Sequence, residues 1–151
     1  MVCLGNICRS PLAEGILRSK ILTDAISVDS AGTSGLHEGE LPDPRSIAVA
    51  KSNGIDITDQ RSRKFKVADF DNFDLIYAMD QSNYHNILNI ARNSDDESKV
   101  KMILNESNPG ENLNVPVPYY GGDKGFKLVI EKIQCGIDKL IEHIKNETTF
   151  L

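Results

Sequence analysis

Tryptophan is absent from the 151 residues, cysteine occurs only three times, and no apolar run approaches the ~20 residues that a membrane-spanning helix requires. The first ten residues also lack the charged, apolar and small-residue pattern of a secretory signal, so the sequence predicts a cytoplasmic protein without a membrane partner. Three cysteines, an odd number, fit free thiols in a reducing compartment better than a disulfide framework. Basic charge is in deficit, with 17 Lys and Arg against 22 Asp and Glu and a net charge of −5. That balance argues against general nucleic-acid affinity, and any anion must be held by a local site. There is no internal repeat, low-complexity tract or linker. The expectation is one domain over residues 1–151, long enough to bury about two-thirds of its unfolded surface without a disulfide or metal staple.

Local signals alternate between strand and helix. Ser10-Pro11-Leu12-Ala13-Glu14 reads as a helix start, with Ser10 able to cap, Pro11 tolerated in the first turn and Glu14 complementing the dipole, and the helix runs to about Leu22. Ser27 to Ala31 alternates as a short strand before a glycine-rich loop that extends through Gly39. Asp43-Pro44 opens a second helix that Asn53-Gly54 ends. Asp74 to Met79 reads as a buried strand, Gln81 to Arg92 as a helix, and Lys99 to Leu104 as another strand. From Phe126 to Ile144, apolar residues recur at three- and four-residue steps and predict a long helix packed on a sheet. Strands alternating with helices imply a parallel sheet covered on both faces, and such folds place their sites at the carboxyl ends of the strands.

The chemistry concentrates in Cys3-Leu4-Gly5-Asn6-Ile7-Cys8-Arg9-Ser10, a loop feeding directly into the first helix. Curling there turns successive backbone N–H groups inward and adds the positive potential of a helix start, which suits a phosphate-sized dianion. Gly5 and Asn6 permit the curl, because Gly accepts positive φ and Asn tolerates the left-handed region better than most residues. Arg9 then grips two oxygens with its planar fork. The same field favours a thiolate at Cys3, below the free-thiol pKa of about 8.5. Ser10 suits both a hydrogen bond to that sulfur and a helix cap, and the two roles are not exclusive. Attack on a phosphate monoester gives a cysteinyl-phosphate that water hydrolyses. A Cys with an Arg six positions on is a weak motif by itself; the octapeptide and helix start together are a strong one. Zinc binding by Cys3 and Cys8 lacks a second ligand pair, since His37, His85 and His143 are dispersed, so no metal is expected.

The stretch Cys3 to Pro11 resembles the phosphate-binding loop of the low-molecular-weight protein tyrosine phosphatases. Asp29-Ser30-Ala31-Gly32-Thr33, Pro42 to Ser46, Phe73 to Asp80 and Pro118-Tyr119-Tyr120-Gly121 follow in that family's order, so the resemblance spans nearly the whole chain. It implies an α/β fold, a three-layer α/β/α architecture around a four-stranded parallel sheet. It also implies cofactor-free and metal-free hydrolysis of phosphotyrosine proteins and small aryl phosphates by a monomer. Cys3 is then the nucleophile and Arg9 the transition-state clamp. Leu4, Gly5, Asn6, Ile7, Cys8 and Ser10 line the phosphate, and Cys8 is a second thiol that pairs with the nucleophile under oxidation.

Two departures from that pattern stand out. The family's Asp before Pro-Tyr-Tyr, which protonates the leaving phenolate, is replaced by Val117. Val117 transfers no proton, and the nearby Asp123 is not recommended by its spacing. Reduced turnover follows, least for activated aryl esters, and the competing reading is a module that captures phosphotyrosine without hydrolysing it. The first strand is also largely missing, with only Met1-Val2 before the loop, which predicts reduced stability. Tyr119 and Tyr120 are expected to line one wall of the cleft, with Leu36 and His37 opposite. Arsenate reduction, a third chemistry found with similar loops, wants a relay of further cysteines. Cys135 lies within the apolar stripe, where packing is the expected role.

Overall fold

Four short parallel strands lie at the centre of the computed structural model, which describes residues 1–147 apart from the side chain of Tyr120. They are β1 (Val2–Cys3), β2 (Ala31–Gly32), β3 (Ile76–Ala78) and β4 (Val100–Met102), in the order β2-β1-β3-β4. β1 is an inner strand: Val2 is in register with Ala31 on one side and Ala78 on the other. Successive residues point to opposite faces of a strand, and both faces here are apolar. Val2, Ile76, Ala78 and Val100 join Phe65, Phe70 and Ile87 in one cluster. Cys3, Tyr77 and Met79 join Leu12, Ile16, Ile133 and Ile137 in the other.

The helices supply those two outer layers. α1 (Arg9–Lys20), α2 (Pro44–Ser52) and α7 (Gly122–Glu147) pack on one another over the second of these clusters. α3 (Ala68–Asn72) and α4 (Gln81–Leu88) supply Phe70 and Ile87 to the first. Two further short helices, α5 (Ser94–Ser98) and α6 (Leu104–Ser107), flank β4. The three-layer α/β/α arrangement expected from the alternating pattern is therefore present. α7 follows its stripe closely, burying Phe126, Val129, Ile130, Ile133, Ile137 and Leu140. Each such side chain contributes roughly 1.5–3 kcal/mol by leaving water.

Several local expectations shift. β2 comprises Ala31–Gly32 rather than Ser27 to Ala31 because ladder pairing needs a neighbour, and β1 begins only at Val2, opposite Ala31. The helix after β3 stops at Leu88, and α5 follows after a turn. Leu104 opens α6 instead of closing β4. Cys135 is exposed, contrary to the packing role read from the stripe: it lies two residues, about 200° of helical rotation, from buried Ile133. No helix among the described residues is long and apolar enough to cross a membrane.

Candidate active site

The loop between β1 and α1 is held by its carbonyl groups. The oxygen of Leu4 accepts from Ser34 N, that of Gly5 from Ser62 Oγ, that of Ile7 from Asp43 N, and that of Cys8 from Leu12 N. In a trans peptide the carbonyl of one residue and the N–H of the next point in opposite directions, and the chain has no cis bond. With those carbonyls bonded to the surrounding chain, the N–H groups of Gly5, Asn6, Cys8 and Arg9 point away from those partners. Asn6 makes the bend at φ 55°, the left-handed conformation its residue type tolerates. The amino end of α1, twelve residues long, adds its partial positive charge.

The orientation of the Asn6 amide beside Ser10 follows from one unambiguous donor. Arg63 N can only donate, and it lies 3.0 Å from Asn6 Oδ1, which fixes the orientation of the Asn6 amide. Nδ2 of the same buried side chain then donates to Ser10 Oγ at 2.8 Å and to Ser30 Oγ at 2.9 Å. Each hydroxyl has its own hydrogen left to give outward. Ser30 gives it to Glu14 Oε1 at 2.7 Å, and Ser10 has it available for Cys3 Sγ at 3.0 Å. Of the two roles read from sequence, the structure gives Ser10 the contact with the sulfur and not the N-cap position. Cys8 occupies the N-cap position of α1 without a side-chain cap bond, and Ser10, one residue into the helix, faces the sulfur. Glu14 does not sit in the first turn but deeper, buried between Ser30 and Arg18.

Glu14 gives this network a pH signature. Burial pushes its carboxyl above the ordinary range, against the opposing hydrogen bonds from Ser30 and Arg18. The folded protein therefore holds a proton that the unfolded chain has already released, so this contribution to stability falls as pH rises from about 4.5 through the raised folded value. Denaturant midpoints of wild type and Glu14→Gln measured from pH 4 to 7 should diverge, with wild type losing ground to the variant as pH rises.

Arg9 is buried, and its Nη1 donates both to Asp80 Oδ2 at 2.7 Å and to the Val115 carbonyl at 3.0 Å. Among the described residues Nη2 and Nε carry no bond, which leaves one edge of the fork available. Asp80 is itself anchored as the N-cap of α4, accepting from Asn83 N at 2.7 Å. Sequence reasoning gave Asp80 and Ser30 no role in the site. The signal for Asp80 was its position at the carboxyl end of a strand and the start of a helix, where sites gather in such sheets.

Gly32 is a further missed residue. A Cβ there would lie 2.8 Å from the Leu4 carbonyl oxygen and 3.0 Å from Asn6 N, both backbone atoms of the loop. Backbone cannot swing aside like a long side chain, so Gly32→Ala should displace the curl. Because small misplacements of binding groups weaken catalysis by up to ~10²-fold, competitive inhibition by inorganic phosphate should weaken at least about tenfold in this variant.

The rim residues are distributed unevenly. Tyr119 Oη is 3.1 Å from Cys8 Sγ, and the Arg45 guanidinium stands over the Tyr119 and Phe126 rings at 5.3 and 4.8 Å. Burial raises the Cys8 thiol, and burial with the Cys8 bond raises the Tyr119 phenol, so both keep their protons at neutral pH. His37 packs against the loop at Gly5, where a Cβ would meet its ring at 3.0 Å, and Leu36 stands 82% exposed beside it. Leu4 is exposed and Ile7 half-buried at the mouth. The Tyr120 side chain lies outside the described residues. Val117 is half-exposed, in extended backbone between Val115, which accepts from Arg9, and Tyr119, which meets Cys8. Asp123 lies in the first turn of α7 and is exposed.

This combination of thiol, curled loop and guanidinium has parallels in known proteins. The family model described as low molecular weight phosphotyrosine protein phosphatase matches residues 1–149. A low molecular weight phosphotyrosine protein phosphatase from Schizosaccharomyces pombe is 44% identical over 130 residues, covering 83% of this chain and 82% of that protein. A crystal structure of a protein tyrosine phosphatase from Entamoeba histolytica, with Hepes in its active site, superposes with a TM-score of 0.90 at 39% identity, covering 97% of this chain and 95% of that one. YfkJ from Bacillus subtilis gives 0.87 at 36% identity, with 98% and 94% covered. Loop, sheet order and overall likeness agree: the chain belongs to the low molecular weight phosphotyrosine protein phosphatase family.

Proposed function

We propose that this chain hydrolyses phosphotyrosine and other aryl phosphate monoesters through a cysteinyl-phosphate on Cys3, slowly, because Val117 supplies no proton. In the first step the Cys3 sulfur attacks phosphorus and the P–O bond to the ring breaks. The phenolate leaves with the bonding pair and takes its proton from water. The N–H groups of the loop and the free edge of Arg9 hold the three remaining oxygens. In the second step a water oxygen attacks phosphorus, the S–P bond breaks, and the Ser10 hydroxyl receives the departing thiolate with a hydrogen bond. Water's proton passes to solvent, and phosphate is released. The nucleophile, clamp and donors all come from the chain, and a monomer suffices.

The observation that carries this reading is the fixed direction of the Asn6 amide, which frees the Ser10 hydrogen for Cys3. Because Val117 gives neither acid nor base, an activated ester separates the two steps: p-nitrophenolate leaves unaided, whereas attack by water goes without assistance. Rapid mixing with p-nitrophenyl phosphate should therefore give a burst of nitrophenolate close to one equivalent per chain, with label trapped on the protein by acid quench. Cys3→Ser should give neither. Undiminished phosphate release from Cys3→Ser would reject the mechanism.

Val117 also favours a second reading, capture of phosphotyrosine proteins without turnover. Tight phosphopeptide binding with no labelled protein on quench selects it.

A further inference from the structure

Arg45 lies outside the loop that carries Cys3, and hydrolysis at Cys3 and Arg9 gives it no part. Its surroundings are nevertheless specific. Asp43 donates its backbone N–H to the Ile7 carbonyl at 2.7 Å and is thereby tied to the loop. The Asp43 carboxylate caps α2 by accepting from Arg45 N at 2.8 Å, and it holds the Arg45 side chain at two points, Nε at 3.1 Å and Nη2 at 3.0 Å. The guanidinium keeps the Asp43 carboxyl below the usual carboxylate range, against its partial burial, so the pair is ionic at neutral pH. The same guanidinium stands over two rings, 5.3 Å from the centroid of Tyr119 and 4.8 Å from that of Phe126. Phe126 is buried, whereas Tyr119 is 44% exposed.

Tyr119 needs such a contact. Its backbone is anchored, because Pro118–Tyr120 forms a single tight helical turn packed on α7, so close that a Cβ at Gly125 would lie 2.6 Å from the Pro118 carbonyl oxygen. The ring still turns about two bonds, and among the described residues its oxygen has one partner, Cys8 Sγ at 3.1 Å. Sulfur is a weak donor and a weak acceptor, so that bond by itself holds the tip loosely. A cation over the face adds an attraction that is lost when the ring swings away. Arginine suits the task better than lysine, because a planar fork bonds a carboxylate at two points and still lies over a ring. Loop, Asp43, Arg45 and Tyr119 thus form one connected series of contacts, which fixes where the Tyr119 ring stands relative to the Cys3 loop.

We propose that Arg45 is a positioning residue for aryl recognition: its guanidinium, anchored on Asp43, sets the Tyr119 ring as the wall against which the ring of an aryl phosphate packs. This role rests on the phosphatase reading and deepens it, by tracing ring selectivity to a side chain that touches neither phosphorus nor its oxygens. The ligand is held in two parts. The loop and Arg9 hold the phosphoryl group whatever Arg45 does, and Tyr119 holds the ring only with Arg45 in place.

The test compares benzylphosphonate, a dianion with a ring and no cleavable ester, with inorganic phosphate. Both are doubly charged, so a change in local charge cancels in the ratio of their dissociation constants. Calorimetry on wild type should show the phosphonate binding more tightly. In Arg45→Lys and Arg45→Gln that advantage should shrink about fivefold, the order of a half-exposed cation–ring contact, and in Arg45→Lys phosphate binding should stay within about twofold of wild type. In a Tyr119→Ala background Arg45→Lys should change the ratio no further, because the residue acts through the ring. With p-nitrophenyl phosphate, Arg45→Lys should raise KM by the same factor at constant kcat, since hydrolysis of the cysteinyl-phosphate involves no ring. A ratio that keeps its wild-type value in either variant overturns the proposal, as does a further loss in the Tyr119→Ala background or a wild-type chain with no preference for the phosphonate. A ring-specific loss in a chain that gives no nitrophenolate burst rejects the phosphatase reading and leaves the positioning role standing; a burst without ring-specific loss does the reverse.

Discussion

Val117→Asp should raise turnover of phosphotyrosine peptides by about 10²–10⁴-fold, the range over which a positioned acid or base accelerates such steps. The position is favourable for the change. Val117 is 44% exposed in extended backbone, and its neighbours two residues away on either side already touch the site, Val115 through Arg9 and Tyr119 through Cys8. A substitution on such a surface alters stability by only about ±0.5 kcal/mol, so a change in rate reports chemistry rather than folding. The gain should depend on the leaving group. Phenolates of high pKa need the proton and should show the full effect. For p-nitrophenyl phosphate only the second step has anything to gain, so its initial burst should vanish as water attack becomes assisted. On phosphotyrosine peptide a bell-shaped pH profile of kcat should appear in the variant, and its alkaline limb, set by loss of the donated proton, should be absent in Val117→Asn, which matches the shape but cannot transfer a proton. Equal rates for the valine, asparagine and aspartate forms on phosphotyrosine peptide would reject the assignment of this position.

What the amino-acid sequence made legible was whatever depends on neighbours along the chain. The start of α2 was visible because Asp43 caps it, its side chain accepting from Arg45 N, with Pro44 at the first helical position. α7 was visible because burial repeats every three to four residues from Phe126 to Leu140, about four turns. The bend at Asn6 was visible because few residue types tolerate its φ. β2 was misjudged because strand length is set by the partner, and the partner, β1, has two residues. Cys135 was misjudged because a stripe of several residue positions has edges that only the packing partner defines.

The same division runs through the site. Cys3, Ser10 and Arg9 could be named from one octapeptide because a loop and the helix it enters bring them together. The residues that fix their geometry come from elsewhere in the chain. Ser30 reaches Asn6 across 24 positions, Asp80 reaches Arg9 across 71, and Tyr119 reaches Cys8 across 111. Gly32 contributes by having no side chain where the loop backbone crosses β2, an absence with no local pattern to betray it. Ser10 shows how position decides between local readings: its residue type suits a cap, but Cys8 holds the cap position and Ser10 Oγ lies 3.0 Å from the Cys3 sulfur.

Arg9→Lys should lower kcat/KM by about 10³-fold while leaving the fold intact. In the structure one nitrogen, Nη1, is occupied by Asp80 and the Val115 carbonyl, and the Nη2–Nε edge remains to donate two parallel bonds. A lysine ammonium can replace the first function, since it carries the same charge to Asp80, but it offers no planar fork for two oxygens of a phosphoryl group. Losing one preorganised donor to a transition state removes about 10²–10³-fold, and a transferring phosphoryl group clamped by arginine depends on it for about 10³–10⁵-fold. Arg9→Ala is the contrasting variant. It strands the Asp80 carboxylate, whose side chain is only 16% exposed, without its cation, and breaking such a pair destabilises by about 3–5 kcal/mol. Lysine should therefore separate catalysis from folding: a melting temperature near that of wild type, a large fall in kcat/KM, and weaker inhibition by inorganic phosphate. A lysine variant within tenfold of wild-type kcat/KM would show that Arg9 serves only to bridge Asp80 and Val115, and the clamp would have to be sought among the loop's N–H groups alone.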